Sequence, residues 1–133
     1  MNETRKLLLW RLLPVVLVTA ASAAYVISIE GKHAYAIRNT LPMAGVVMLS
    51  LITLRLGNGR WAGAGWRWPL GVIGFAIPAV GLSLYLHYAY SVDLDGMFGD
   101  SANPGAVFRY LPLYTTVSGA IGFVIGWIVG SRV

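Results

Sequence analysis

The sequence contains no cysteine, which excludes disulfide bonds, thiolate nucleophiles and cysteine-ligated metal sites. Charge is also scarce, because only 11% of the 133 residues are Asp, Glu, Lys or Arg, whereas 57% are hydrophobic. A soluble globular domain normally carries about 25% charged residues. A chain with so few charges cannot cover its surface in water, so the composition predicts an integral membrane protein.

The few charges leave four stretches without any Asp, Glu, Lys or Arg, at residues 12–29, 39–54, 68–92 and 110–131. A hydrocarbon core of roughly 30 Å needs about 20 helical residues. If arginines at the ends of these stretches extend toward the headgroups, transmembrane helices are predicted over about 7–29, 35–56, 68–90 and 108–130. The predicted fold is therefore all-α, an integral membrane four-helix bundle that forms a single transmembrane domain over residues 1–133.

Basic residues are distributed unevenly around these helices. With both termini in the cytoplasm, seven of the ten lie on that side: Arg5, Lys6, Arg11, Arg55, Arg60, Arg67 and Arg132. The positive-inside rule therefore predicts an N-in, C-in topology, and we expect a bacterial-type inner membrane. Ala21-Ser22-Ala23 has the A-x-A form of a signal-peptide cleavage site, but Arg11 interrupts the preceding apolar run. We expect the first helix to be retained.

A weak internal repeat provides a second description of the bundle, as two tandem helical hairpins. Trp10-Arg11-Leu12-Leu13-Pro14 and Trp66-Arg67-Trp68-Pro69 open the two predicted hairpins, and Arg38 to Pro42 and Arg109 to Pro112 precede the second helix of each. Some transporters use such parallel repeats. Arg and Trp also favour interfaces, however, and Pro is tolerated in a first turn, so unrelated hairpins converge on the same pattern. Both interpretations stay open.

Glycines recur at helical spacing in the third and fourth predicted helices. Stripes of small residues let helix backbones approach closely, and lipid offers no hydrophobic drive for helix association. We therefore expect a packing seam, either between these two helices or between copies of the chain. The predicted seam residues are Gly71, Gly74, Gly81, Gly119, Gly122, Gly126 and Gly130.

Residues with catalytic or ligating chemistry are few. His33 and His87 are far apart in sequence, without the short spacing of a ligand pair. Asp93, Asp95 and Asp100 form a candidate cation loop, because alternate carboxylates before a glycine can converge on a hard cation. A closing Glu is missing, so the competing interpretation is a solvated turn or salt bridges with Arg38 or Arg109. We expect no catalytic residues and no cofactor.

Charge is missing from the middle of every predicted span, which argues against a proton-coupled pump. Hydroxyl groups are the polar atoms available at depth, and such groups most often bond their own or a neighbouring helix. A polar path for a solute would need residues near the outer boundary. Its candidates are Arg38, Arg109 and His87.

These features predict a non-enzymatic accessory or structural subunit of a membrane complex. Its partners would be the lipid bilayer and other membrane-protein subunits, or further copies of itself in a homo-oligomer. The alternative is a homo-oligomeric small channel, transporter or lipid flippase component. An intramembrane enzyme would depend on the acidic loop and His87. No nucleic-acid partner is expected, because the basic residues are scattered singly at helix ends.

Overall fold

The computed structural model describes residues 2–30, 37–92 and 107–133. Within these ranges the chain forms α1 (Glu3–Glu30), a 3₁₀ turn (Arg38–Thr40), α2 (Leu41–Leu56), α3 (Arg67–Val92) and α4 (Val107–Gly130). Helix accounts for 86% of this part of the chain, which contains no strand. The all-α prediction is confirmed.

The four helices are long and apolar enough to cross a membrane, as the composition predicts. The spans that meet this criterion are Glu3–Ile29, Arg38–Leu56, Arg67–Val92 and Tyr110–Gly130. In the second of these, the 3₁₀ turn extends the 16 residues of α2 to a span of 19. These lengths and compositions support an integral membrane protein.

Helix α1 begins at Glu3, earlier than the predicted start near residue 7. Asn2 caps the helix, since its Oδ1 accepts a hydrogen bond of 2.8 Å from the Arg5 backbone N–H. Glu3 stabilises the positive end of the helix dipole and pairs with Lys6 at 3.6 Å. Polar capping therefore extends α1 beyond its apolar stretch, and the helix continues through Ala21-Ser22-Ala23 to Glu30.

Helix α2 begins at Leu41, and Pro42 lies in its first turn, where a missing N–H disrupts no hydrogen bond. Residues 35 and 36 of the predicted second helix lie outside the described ranges. At the other end, Asn58 and Gly59 adopt positive φ values of 54° and 87°. Asn and Gly tolerate this conformation, so the chain turns sharply after α2.

The segment from Gly57 to Gly63 folds tightly on itself. A Cβ atom added to Gly63 would overlap the Gly57 carbonyl, and one added to Gly57 would overlap the Arg60 carbonyl oxygen. The Arg11 Nη1 donates a hydrogen bond of 3.0 Å to the Gly59 carbonyl, which ties α1 to this segment. The start of α1 and the connection between α2 and α3 therefore lie at one end of the molecule.

Helices α3 and α4 form the most extensive helix pair in the described chain. Helix α1 packs on α2, and both contact α3, while the 3₁₀ turn contacts α4. The end of α4 reaches the start of α3, because Gly130 lies against the backbone of Trp66 and Arg67. The 57–66 connection, the start of α1 and the end of α4 therefore lie at the same end of the molecule. We call it the basic end, because it carries seven basic residues: Arg5, Lys6, Arg11, Arg55, Arg60, Arg67 and Arg132.

The apolar core consists of small and medium side chains. Its buried residues are Val26, Met43, Val46, Leu54, Val72, Ala79, Ala89 and Leu111. Larger apolar residues point outward instead, including Leu17 at 60% and Ile125 at 58% exposure. Hydrocarbon covers an apolar exterior of this kind without a cost in free energy, whereas exposing the same surface to water is unfavourable.

Candidate functional site

The closest helix contact brings Gly74 of α3 against Gly122 of α4. A Cβ atom added to either glycine would overlap the backbone carbonyl oxygen of the other. One turn further along α4, a Cβ on Gly126 would overlap the Leu70 carbonyl oxygen. Only glycine allows this approach, which places the two backbones in direct contact.

The remaining predicted seam glycines differ in their surroundings. A Cβ on Gly71 or on Gly119 would come within 2.7 Å of the ring of Phe123 or Phe75, respectively. A Cβ on Gly130 would come within 2.6 Å of the Arg67 Cα. Gly81, by contrast, is exposed, and a Cβ there would meet no heavy atom within 4 Å. The structure therefore places six of the seven predicted glycines in one seam between α3 and α4 and leaves Gly81 outside it.

Pro78 affects this seam because it leaves the Gly74 carbonyl without its usual helical donor. A residue at this position of α3 would donate its N–H to the Gly74 carbonyl, but proline has none. That carbonyl oxygen lies where a Cβ of Gly122 would stand, so it faces the Gly122 Cα hydrogens. A Cα–H···O contact of this kind offsets part of the cost of the freed acceptor.

Aromatic rings close the seam at the basic end. Trp68 of α3 makes edge contacts with Phe123 and Trp127 of α4, at centroid distances of 6.1 and 5.2 Å. Phe123 and Trp127 stack at 5.8 Å, and the Arg67 guanidinium lies 5.8 Å from the Trp127 centroid. Contacts of both kinds are typical of headgroup depth, where one side of a ring meets apolar and the other polar surroundings.

Hydroxyl groups within the spans bond mainly to their own helices. Thr19 donates to the Val15 carbonyl at 2.7 Å and Thr53 to the Leu49 carbonyl at 2.7 Å. Thr115 donates to the Leu111 carbonyl at 3.1 Å. These three hydroxyls therefore satisfy carbonyls of their own helices.

The three candidate residues of the polar path lie in different settings. Arg38 is exposed in the 3₁₀ turn, whereas none of the surface of His87 in α3 is exposed. The His87 Nδ1 lies 2.6 Å from the Ser83 carbonyl oxygen. A carbonyl only accepts, so Nδ1 is the donor. Arg109 belongs to α4, but its side chain lies outside the described part of the structure.

The acidic loop cannot be compared with the structure, because Asp93, Asp95 and Asp100 lie outside the described residues. In the ranges that are described, no three His, Cys, Asp or Glu side chains lie close enough together to hold a metal ion. His33 also lies outside these ranges. The cation loop stays a prediction.

A partly open cleft of about 560 Å³ between α1, α2 and α3 was not predicted from the sequence. Trp61 and Trp66 line it at the basic end, and Val15, Val46 and Val72 line its length. Ser50 of α2 also lines it, and its buried hydroxyl has no hydrogen-bond partner in the described chain. A buried hydroxyl without a partner destabilises the fold unless a ligand bonds to it. Its sequence signal is one Ser in an otherwise apolar helix, which is too common to be specific.

Replacing Ser50 with alanine is expected to stabilise the unliganded protein by about 1 kcal/mol, because a desolvated group without a partner is removed. Thr53→Val is the matched control on the same helix, since it removes a buried hydroxyl that has a partner. It should stabilise nothing. Reversible unfolding in mixed detergent and SDS micelles measures both. Equal changes in the two variants would contradict an unsatisfied Ser50.

No protein-family model matches this chain, and no curated protein or solved structure matches it. The structural features that bear on function are the closed α3/α4 seam, the outward apolar faces of α1 and α4, the Ser50 cleft and the basic end.

Proposed function

We propose that the protein is a non-enzymatic accessory subunit of a membrane complex and that it acts by packing against a larger membrane protein. The observation that carries this proposal is the contrast between the two faces of α4. Its glycine face is closed against α3 within the same chain, while its opposite face presents large side chains to the surroundings. These are Leu113, Val117, Ile121, Val124, Ile125 and Ile128, each more than half exposed.

The polar groups at depth support a packing role over a chemical one. Thr19, Thr53 and Thr115 are bonded within their own helices, and His87 is fully buried. Groups held in this way stabilise their own helices. A 14.4 kDa membrane protein in which most of these buried polar groups bond to their own helices is suited to shaping or stabilising a neighbour.

The proposed topology is N-in and C-in, in a bacterial-type inner membrane. Its support is the uneven charge of the molecule, because seven basic residues share the basic end, where Glu3 is paired with Lys6. Positive loops are retained in the cytoplasm during insertion. With this topology, the 3₁₀ turn and the buried His87 lie toward the outer side.

Site-specific photo-crosslinking tests the accessory role. A photoreactive residue is placed at Ile125, on the outward face of α4, or at Leu17, on the outward face of α1, and native membranes are irradiated. We expect one stoichiometric protein adduct from one of these faces and only lipid adducts from the other. The two positions are matched controls, because their exposed fractions are nearly equal, at 58% and 60%.

The same complex should depend on the chain for its assembly. Deleting the protein should lower the amount of assembled partner, and the wild type should restore it. Ile125→Trp should restore roughly tenfold less if α4 is the docking face, because overpacking an interface costs about 1–3 kcal/mol. Lipid adducts at both positions, with partner assembly unchanged by deletion, would overturn the proposal.

A homo-oligomeric channel, transporter or lipid flippase component is the second candidate function, and the Ser50 cleft favours it. The cleft is apolar and lies between three helices, so an acyl chain or an apolar solute could bind in it. Copies of this chain alone in the crosslinked product, together with flux or lipid exchange in liposomes that contain only this protein, would establish this function in place of the accessory role.

A further inference from the structure

A second groove runs between α1 and α2 at the basic end. Its volume is about 530 Å³, and its lining includes Leu8 and Leu12 of α1 and Leu51 of α2. Arg5 and Arg55 line the same groove, one from each helix. Both arginines lie nearer the basic end than the leucines, because Arg5 precedes Leu8 in the first turns of α1 and Arg55 follows Leu51 near the end of α2.

This groove is positively charged at its mouth. Arg5 and Arg55 are exposed, and neither forms an ion pair within the described chain. The Glu3 carboxylate lines the neighbouring pocket instead and is paired with Lys6 at 3.6 Å. Two guanidinium groups therefore stand at one end of a groove whose other lining residues are leucines, Asn2 and Thr4, with no acidic side chain among them.

On each helix the arginine and the leucines lie along one face, with the arginine nearer the basic end. Arg5, Leu8 and Leu12 recur at three and four residues along one face of α1, and Leu51 and Arg55 are four apart on α2. The planar fork of Arg matches phosphate oxygens, and two such groups on separate helices can hold one phosphate between them. Leucines below them offer hydrocarbon to a chain attached to that phosphate.

We propose that the groove between α1 and α2 binds one anionic phospholipid, with its phosphate between Arg5 and Arg55 and an acyl chain along Leu8, Leu12 and Leu51. The two positive charges, which have no ion-pair partner in the described ranges, favour a headgroup of net negative charge over a zwitterionic one. The leucine walls favour a lipid over a soluble phosphate. The site is independent of the proposed accessory role and would operate whether or not a partner protein is bound.

Native mass spectrometry of the purified protein, titrated with phosphatidylglycerol or phosphatidylcholine, tests this site. Each Arg near an anionic lipid surface contributes enough that losing two should weaken phosphatidylglycerol binding roughly 30-fold in the double variant Arg5→Gln/Arg55→Gln. Arg60→Gln/Arg132→Gln is the matched control. It removes the same charge from exposed positions at the same end but changes no residue lining this groove. We expect it to bind within about threefold of the wild type, the change that screened charges outside the site produce.

Helicity measured by circular dichroism must be equal in all variants, which the exposure of the four arginines favours. Three results would overturn the proposal. Equal loss in both double variants would mean that the basic end attracts lipid without a defined site. Equal binding of phosphatidylcholine by the wild type would remove the role of charge. Displacement of the lipid by the same concentration of glycerol phosphate would remove the role of the leucine groove.

Discussion

Replacing Gly122 with leucine should break the contact between α3 and α4 and destabilise the protein by about 3 kcal/mol or more. A Cβ at this position overlaps the Gly74 carbonyl oxygen, and a backbone atom cannot rotate away as a side chain can. The helices must therefore separate along the seam, and the loss spreads to the neighbouring Gly126 contact. Unfolding in mixed detergent and SDS micelles measures the free energy, and size-exclusion chromatography detects loss of the folded state.

Gly81→Leu is the matched control for this experiment. It makes the same substitution in α3 at a glycine where an added Cβ meets no heavy atom within 4 Å. Leucine also has the higher helix propensity, by somewhat less than about 1 kcal/mol in soluble helices. We expect little change or a small gain in stability. If Gly81→Leu destabilised the protein as much as Gly122→Leu, the cost would come from glycine removal in general and not from the seam.

The helices themselves were predictable because the signal is thermodynamic and local. A stretch without charge that is long enough to cross hydrocarbon must satisfy its backbone internally, so a helix is required. The boundaries depend on individual polar groups instead. Asn2 moves the start of α1 to Glu3, and Pro42 fits the first turn of α2, although neither changes the apolar pattern from which spans are predicted.

Helical spacing identified which face of α3 and α4 carries glycine but not where the seam ends. Gly74 and Gly81 are seven positions apart, so periodicity places both on one face. Pro78 lies between them and removes a backbone hydrogen bond, so the two halves of α3 need not keep that face toward α4. The contacts with Leu70 and Phe75 were also not predictable, because they depend on the register between two helices, which the sequence of either helix alone does not determine.

The repeated motifs show how similar sequences take different structural positions. Pro69 lies in the first turn of α3, whereas Pro14 lies well inside α1. Pro42 likewise lies in the first turn of α2, but Pro112 lies inside α4. Arg, Trp and Pro are favoured near a membrane boundary for separate reasons, so their succession does not determine a residue's place in its helix. Tandem duplication stays a prediction.

Replacing His87 with alanine is expected to destabilise the protein by about 3 kcal/mol. The side chain is fully buried, and its Nδ1 donates to the Ser83 carbonyl at 2.6 Å. Alanine removes that hydrogen bond and leaves a cavity the size of an imidazole, and both losses add. Tyr88→Ala, at the next position and 52% exposed, should cost less than about 1 kcal/mol in the same unfolding measurement.

His87→Leu separates packing from hydrogen bonding, because leucine fills most of the volume and donates nothing. About 1 kcal/mol of the loss should remain in this variant, the net contribution of a typical buried hydrogen bond. If His87 belonged to a polar path, the expected pattern would be different. Both variants would then unfold like the wild type, and the defect would be confined to solute flux in liposomes. A larger loss in His87→Ala than in His87→Leu would identify His87 as a buried packing residue that also contributes hydrogen bonding.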